Sequence, residues 1–408
     1  MKSIFKSIIL LLNILVFISA IILWVFNNPS REVLIIFVII VNIIFILIQN
    51  NFKIYVKRGN PFGIAISLTF ILLTIQFFIS GLKSNDVLLP LSIIVLYMTF
   101  LITLSSFEEK QYLNLYSKFS VYLLFSSILC FILLHLNIIN KFDNLLTDGS
   151  NFLFDGNRIN SMSEVSFPGY LSFIYHPGKM IPFFSEFGTL TSFFHEPHIS
   201  TWFITPGIFI YNHLNNKKIY KIIVNIFYLF FVLLSLSATN ISVLLIIYFV
   251  YIISNKINFK HILLLTIIIL SVYIIGSNLL TSLNEYGLEF VINKFNDDNG
   301  SRLHTQSSLS YLFSPSQFWG SGALSYPINN YNDIGFINFI LFILFYISIF
   351  YGAFKLIINN ETKLIGLSIL YFFLHSLKFG NALLIFPIII FIMYIGQSVY
   401  KNTSTPNV

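Results

Sequence analysis

The stretch SFFHEPHIS, residues 192–200, is followed almost at once by a mainly apolar run, WFITPGIFIY, residues 202–211. It places two imidazoles and a carboxylate, those of His195, Glu196 and His198, within four residues of a chain that is rich in Ile, Leu and Phe. A polar cluster of this kind directly before an apolar run indicates a site held at a membrane surface.

The composition explains what surrounds this stretch. The chain has 408 residues, of which 56% are hydrophobic and only 10% charged, whereas about a quarter of a soluble chain is charged. Apolar runs long enough to cross a bilayer recur along the whole length. We therefore expect an all-α polytopic integral membrane protein, with residues 1–408 forming a single transmembrane domain.

Twelve apolar runs predict about twelve transmembrane helices. The sixth and the last two are the weakest, because they are short or closely joined. The runs fall at residues 7–26, 33–49, 62–80, 87–105, 118–137, 198–213, 219–237, 240–254, 261–280, 335–354, 363–378 and 380–398.

The lysines and arginines predict the orientation, because cytoplasmic loops carry an excess of them. With the N-terminus in the cytoplasm, 15 of the 23 fall inside, and both termini lie there. The net charge of +7 is then a topology signal and not a surface for nucleic acid. Two long loops, residues 138–197 and 281–334, are predicted on the external, periplasmic side.

The first long loop ends in the 195–198 cluster. Its histidines are three apart with a proline between them, which does not match the zinc-protease spacing of four. Pro197 suits the first turn of a helix, and Glu196 would then meet the positive end of the helix dipole. The cluster is either a polar cap or a carboxylate and histidines that orient a substrate. We expect no metal and no cofactor.

The second long loop carries Ser301, Arg302 and His304, and further on Trp319, Gly320, Gly322, Asn330 and Tyr331. An arginine fork suits a phosphate or pyrophosphate, and histidine suits proton transfer near neutral pH. The aromatic rings could stack on sugars or anchor the loop at the headgroup level. A solvated loop without function is the alternative.

Several of these residues form a familiar pattern. A Phe-x-Glu-Pro element, residues 194–197, precedes a helix; Ser-Arg, residues 301–302, and Gly-x-Gly, residues 320–322, follow in the second loop; an Asn-rich stretch, residues 329–332, approaches the next helix. With about twelve helices, this resembles the O-antigen and capsular polysaccharide polymerases (Wzy), whose relatives are the O-antigen ligases.

The resemblance implies a glycosyltransferase of the bacterial inner membrane. Its substrates are repeat units on undecaprenyl pyrophosphate, and the growing chain is transferred to a new lipid-linked unit with inversion and without a metal. A chain-length regulator, a flippase and membrane lipid are the implied partners, and nucleic acid is not one. Glu196, Pro197, Arg302, Gly320 and Gly322 match the family's motifs.

The chain departs from the family in the first loop. Many relatives carry an arginine a few residues before the Glu-Pro element, near Thr189, and this chain has none there. Arg158 or Lys179 would have to take its place. For the general base we favour His304 over Glu196, because a carboxylate at a helix start becomes more acidic.

Two other functions remain open. A ligase of this family typically has a histidine late in the second loop, where this chain has asparagines, which cannot take up a proton. A flippase or other carrier would usually need carboxylates near the middle of its spanning runs, and none is found there. The sequence therefore favours a polymerase.

Overall fold

Where the computed structural model describes the chain, it has eleven helices and one hairpin. It describes residues 5–14, 28–49, 54–56, 59–83, 88–136, 138, 175–181, 184–190, 192, 197–235, 237–254, 336–377 and 387–403. The helices are α1 (Phe5–Ile14), α2 (Asn28–Gln49), α3 (Pro61–Lys83), α4 (Leu88–Ser105), α5 (Glu109–His135), α6 (Pro197–Leu214), α7 (Lys218–Ser235), α8 (Ala238–Ser254), α9 (Phe336–Ile358), α10 (Lys363–Ser376) and α11 (Pro387–Thr403).

Eleven of the twelve predicted runs thus contain a helix, and the run at 261–280 lies outside the described residues. Three helical segments, 109–133, 218–235 and 340–358, are long and apolar enough to cross a membrane by length and composition; the search covered the described residues. Apolar helices of this kind indicate a membrane protein. The number of spans and the N-in, C-in orientation stay predictions.

One hairpin interrupts the predicted all-α pattern. Strands β1 (Tyr175–Ile181) and β2 (Phe184–Leu190) pair antiparallel between α5 and α6, and β2 contacts α5 and α7. Between His176 and Met180 the register shifts, so that Lys179 lies in a bulge of β1. Pro177 and Gly178 disfavour a helix in this segment, which leaves an extended backbone as the alternative.

Helices α10 and α7 differ in how much of their surface is covered by the rest of the protein. Helix α10 is buried around its whole circumference, with 12 of its 14 residues buried, and it packs against α6, α8, α9 and α11. Helix α7 buries five of its 18 residues and exposes large apolar side chains such as Ile226 and Leu229. An apolar exposed face is what lipid would cover.

The bundle has two distinct ends. At one, which we call the short-connection end, residues 106–108, 215–217 and 359–362 join neighbouring helices. Phe62 of α3 lies there against both Gly352 of α9 and Gly396 of α11. The opposite end, where α6 and α9 begin, is called the long-loop end.

Close backbone approach holds α3, α9, α10 and α11 together toward the short-connection end. A Cβ added to Gly366 of α10 would lie 2.8 Å from the Ala353 carbonyl oxygen and 2.9 Å from the Ile357 nitrogen of α9. Added to Gly352 or Gly396, it would lie 2.8 Å from the ring of Phe62, which is fully buried. Phe62, Gly352, Gly366 and Gly396 are named the glycine seam below.

An amide pair ties the first helices to one another. Asn13 of α1 and Asn42 of α2 exchange two side-chain hydrogen bonds of 2.7 and 2.8 Å, and Asn42 also donates to the Thr99 hydroxyl of α4 at 3.4 Å. All three side chains are buried. Such pairs satisfy polar groups where water is excluded.

Candidate functional site

Helix α6 begins at Pro197, directly after Glu196. Proline fits this place because the first helical N–H has no partner within the helix and because its φ is already helical. The start predicted from the sequence is therefore confirmed. His198 follows in the first turn, and its side chain is partly exposed.

Helix α10 runs antiparallel to α6 along its whole length. The imidazole rings of His198 and His375 lie 6.4 Å apart between centroids, with 20° between their planes. Four residues deeper, Trp202 stacks on Phe372 at 4.6 Å and donates from Nε1 to the Phe372 carbonyl at 2.8 Å. These contacts fix the register of the two helices.

Two further hydrogen bonds continue this line. Tyr371 donates to the Thr201 carbonyl at 3.3 Å, and Ser368 donates from Oγ to the Pro206 carbonyl at 3.0 Å. The contacts from His198 to Pro206 on α6, with those from Ser368 to His375 on α10, are called the polar seam below. Three of these contacts join a hydroxyl or an indole N–H to a backbone carbonyl of the opposite helix, and the contact of His198 with His375 is between rings.

The middle of α6 is tied to its other neighbours as well. Pro206 has no N–H to donate to the Trp202 carbonyl, and hydroxyls gather around this point of the helix. Tyr116 of α5 donates to the Phe203 carbonyl at 2.7 Å, and the hydroxyls of Tyr228 of α7 and Thr205 are 2.7 Å apart. Helices α5, α7 and α10 therefore all hold α6.

Gly207, next to this proline, brings α6 close to α5. A Cβ at Gly207 would overlap with the side chain of Ser120. Since the Cβ of Ser120 is fixed to its own backbone, only glycine fits here. The helix that follows the Glu-Pro element is thus packed tightly at its centre.

His375 lies in the last turn of α10, inside the apolar run at residues 363–378. It is fully buried in the structure, with Tyr371 at 5.5 Å and His198 at 6.4 Å between ring centroids. Sequence reasoning did not connect it with His198, because the two residues are 177 positions apart. The proximity of the two rings depends on the packing of α6 against α10.

The predicted site residues are only partly within the described chain. His198 lies at the start of α6 beside His375, and Lys179 lies in β1. The remaining ones lie outside the described residues: Arg158, His195, Glu196, Arg302, His304, Trp319, Gly320, Gly322, Asn330 and Tyr331. Among the described residues, no group of three or more His, Cys, Asp or Glu side chains could hold a metal ion.

The segments that carry these residues lead to the same end of the bundle. Helices α9 and α10 are joined at residues 359–362 and run antiparallel, as the contact of Phe345 with Phe373 shows. Because α6 is also antiparallel to α10, α6 and α9 begin at the same end. The first long loop leads into α6, and the second leads into α9.

Helix α9 extends beyond the end of α10. The contact of Phe345 with Phe373 places Ser376 beside residue 342 of α9, so that residues 336–341 continue farther. At a rise of 1.5 Å per residue these six residues amount to about 9 Å.

Comparison of the chain with protein-family models, with curated proteins and with solved structures found no match.

Proposed function

We propose that the chain is an O-antigen or capsular polysaccharide polymerase. In this reaction an acceptor sugar hydroxyl attacks the anomeric carbon of the growing glycan. The bond to undecaprenyl pyrophosphate breaks, the pyrophosphate leaves with the electron pair, and the hydroxyl proton passes to a base. A direct displacement of this kind inverts the anomeric configuration.

The observation that carries the proposal is the common end at which α6 and α9 begin. The Glu-Pro element lies at the start of α6, and the Ser-Arg and Gly-x-Gly elements lie in the loop that leads into α9. A two-substrate reaction needs groups from both loops around one pair of reacting atoms. A common end is the arrangement that allows the two loops to meet.

Each assigned group has a separate part in the reaction. Arg302 binds the pyrophosphate and neutralises the charge that develops as it leaves. His304 takes the acceptor proton, and Glu196 orients the acceptor hydroxyl. Trp319 and Tyr331 stack on sugar rings.

The apolar helices fit the chemistry of the substrates. Both donor and acceptor carry a polyprenyl chain, which stays in the bilayer, so the reaction must take place at a membrane surface. This supports the bacterial inner membrane as the location. A flippase that supplies the lipid-linked units and a chain-length regulator are the partners that such a reaction calls for.

A deletion strain tests the proposal through its products. Loss of a polymerase leaves single repeat units, attached to the lipopolysaccharide core or accumulating on the carrier lipid where there is no ligase. If full-length polymer builds up on undecaprenyl pyrophosphate, the protein is a ligase. If no glycan changes in length or attachment, the proposed function is wrong.

Variants restored to this strain test the part of Arg302. Arg302→Ala should abolish chain growth while the protein remains in the membrane, and Arg302→Lys should recover part of it, since lysine lacks the bidentate fork. Lys294→Ala is the matched control, a charge removed from the same loop without an assigned part. Polymer of normal length from Arg302→Ala contradicts the assignment.

A further inference from the structure

Lysines from two neighbouring helices approach one another at the short-connection end. Helices α5 and α7 pack side by side and both begin at this end, so they run parallel. The ring centroids of Phe125 on α5 and Phe227 on α7 lie 4.7 Å apart, which fixes their register. Seven residues are close to two helical turns, so Lys118 lies on the same side of α5 as Phe125, and Tyr220 on the same side of α7 as Phe227. Lys118 is therefore level with Tyr220 and on the side of α5 that faces α7.

Two lysines at the start of α7 lie close to this tyrosine. The ammonium group of Lys217, directly before α7, lies 5.2 Å from the centroid of the Tyr220 ring. Lys221 follows one turn later, is partly exposed, and acts electrostatically on His213 at the end of α6. Lys118, Lys217, Tyr220 and Lys221 are called the lysine patch below.

The helices that form the lysine patch carry no carboxylate that balances its charge. Residues 197–284, which include α6 and α7, contain no Asp or Glu, and neither do residues 110–135 of α5. Glu109, at the start of α5, precedes Phe125 by 16 residues, and the helical period places it on nearly the opposite side of α5. Tyr112, one turn after Glu109, contacts Tyr394 of α11 on that side. The lysine patch therefore needs an anion that these helices do not supply.

The length of the two helices places the lysine patch at the edge of a bilayer. Helix α5 has 27 residues and is about 40 Å long, which exceeds the hydrocarbon core of about 30 Å. The 17 residues of α5 that follow Lys118 span about 26 Å, and the 18 residues of α7 span about 27 Å. The parts of both helices that match the hydrocarbon core thus begin at the patch, where long lysine side chains reach the headgroups.

Exposed apolar side chains continue from the lysine patch along both helices. Ile219, Ile222 and Ile226 are exposed on α7, and Tyr122 and Leu129 are exposed on α5. A soluble anion would leave these side chains uncovered, whereas a lipid presents a phosphate and alkyl chains together. The combination of charge and apolar surface therefore fits a lipid with a negative headgroup.

We propose that the lysine patch binds the headgroup phosphate of an anionic phospholipid, whose acyl chains lie along the exposed apolar faces of α5 and α7. The phosphate interacts with Lys118 of α5 and with Lys217 and Lys221 at the start of α7, so that the lipid joins the two helices. This site lies at the end of the bundle opposite to the two long loops, and it does not depend on the proposed function.

Native mass spectrometry of the full-length protein in detergent tests the site. The protein is titrated with phosphatidylglycerol or with phosphatidylcholine of the same acyl chains. The tightest site should prefer phosphatidylglycerol by at least about tenfold, since each lysine near a negative headgroup contributes about fivefold. Replacing Lys118, Lys217 and Lys221 together by glutamine should weaken the binding of phosphatidylglycerol by about a hundredfold. The binding of phosphatidylcholine should stay within about twofold, which also shows that the variant is folded.

Lys355→Gln is the matched control for Lys217→Gln. The ammonium group of Lys355 lies 5.7 Å from the centroid of the exposed Tyr351 ring, toward the same end of the bundle but on α9. Lys217→Gln should weaken the tightest site for phosphatidylglycerol by about fivefold, and Lys355→Gln should leave it unchanged. An equal loss in both variants would mean that lysines act through the general surface charge, which overturns the lysine patch as a site.

A competition experiment distinguishes a lipid from a soluble anion. Glycerol phosphate at millimolar concentration carries the same charged group without acyl chains, and it should not displace phosphatidylglycerol from the parent protein. Displacement would show that the patch binds a soluble anion, and the assignment to a lipid would be wrong. A triple variant that still binds phosphatidylglycerol like the parent would overturn the proposal as well. None of these measurements involves polymer formation, so they stand apart from any failure of the proposed function.

Discussion

The polar seam and the glycine seam hold the same central helix in different ways. Toward the short-connection end, the backbones of α10 and α9 lie so close at Gly366 that a side chain there would not fit between them. Toward the long-loop end, α10 meets α6 through stacked rings and through side chains that donate to carbonyls. One end depends on shape, and the other depends mainly on hydrogen bonds.

This difference follows from the surroundings of a membrane protein. Without a hydrophobic force between helices in lipid, close packing of small residues and interhelical hydrogen bonds hold the bundle together. A single such hydrogen bond contributes about 0.6 kcal/mol on average and about 1.7 kcal/mol at most. Overpacking a close contact costs about 1–3 kcal/mol or more. We therefore expect the glycine seam to be the less tolerant of substitution.

The largest effect is expected from Gly366→Ala. The new methyl group would meet backbone atoms of Ala353 and Ile357, which cannot turn away as a side chain can. Alanine has the better helix propensity, by about 1 kcal/mol, so a loss of stability can only come from packing. We expect the free energy of unfolding in detergent, measured by titration with SDS, to fall by about 3 kcal/mol.

Gly59→Ala is the control for this substitution. A Cβ at Gly59 would meet nothing within 4 Å, and the positive φ of 81° is the sole source of strain that the geometry predicts there. Its loss of stability should be about 1 kcal/mol. If Gly366→Ala were no worse than Gly59→Ala, α9 and α10 would not be as close as the structure has them.

An intermediate effect is expected from Gly396→Ala. Its methyl group would meet Cγ, Cδ1 and Cε1 of the Phe62 ring, including the atom nearest to the backbone of that residue. We expect a loss of about 2 kcal/mol in the same titration. Because the clash needs both partners, Phe62→Leu should reduce the effect of Gly396→Ala.

A double-mutant cycle checks this coupling. Phe62→Leu alone should also be destabilising, because a buried ring is lost. The double variant should be more stable than the sum of the two single losses implies, by about 1 kcal/mol. Simple additivity would show that the ring and the glycine do not touch.

The sequence predicted where the helices lie better than how they pack. Eleven of the twelve apolar runs contain a helix, since a long apolar run needs its own backbone hydrogen bonds in lipid. The sixth run and the last two were judged the weakest, and they became α6, α10 and α11. Helices α10 and α11 contain many of the buried residues. They are short, and α10 is enclosed by neighbouring helices.

Burial could not be predicted from the pattern of residues. In a soluble helix a polar stripe marks the exposed face, but α7 is apolar on its buried and exposed faces alike. Helix α10, which is buried all round, has a similar apolar composition. Of the candidate site, the start of α6 at Pro197 was predictable from helix-capping rules. The pairing of His198 with His375 was not, because it depends on which helices become neighbours.

The smallest effect is expected in the polar seam, from Trp202→Phe. The phenyl ring can still stack on Phe372, while the Nε1–H bond to the Phe372 carbonyl is lost. The free energy of unfolding should fall by about 1 kcal/mol, less than for either glycine substitution. Phe372→Leu is the matched variant, because it removes the stacked ring but keeps the accepting carbonyl. If Trp202→Phe proved more damaging than Gly366→Ala, the end at which α6 begins would be the more firmly held of the two, and the contrast between the seams would be reversed.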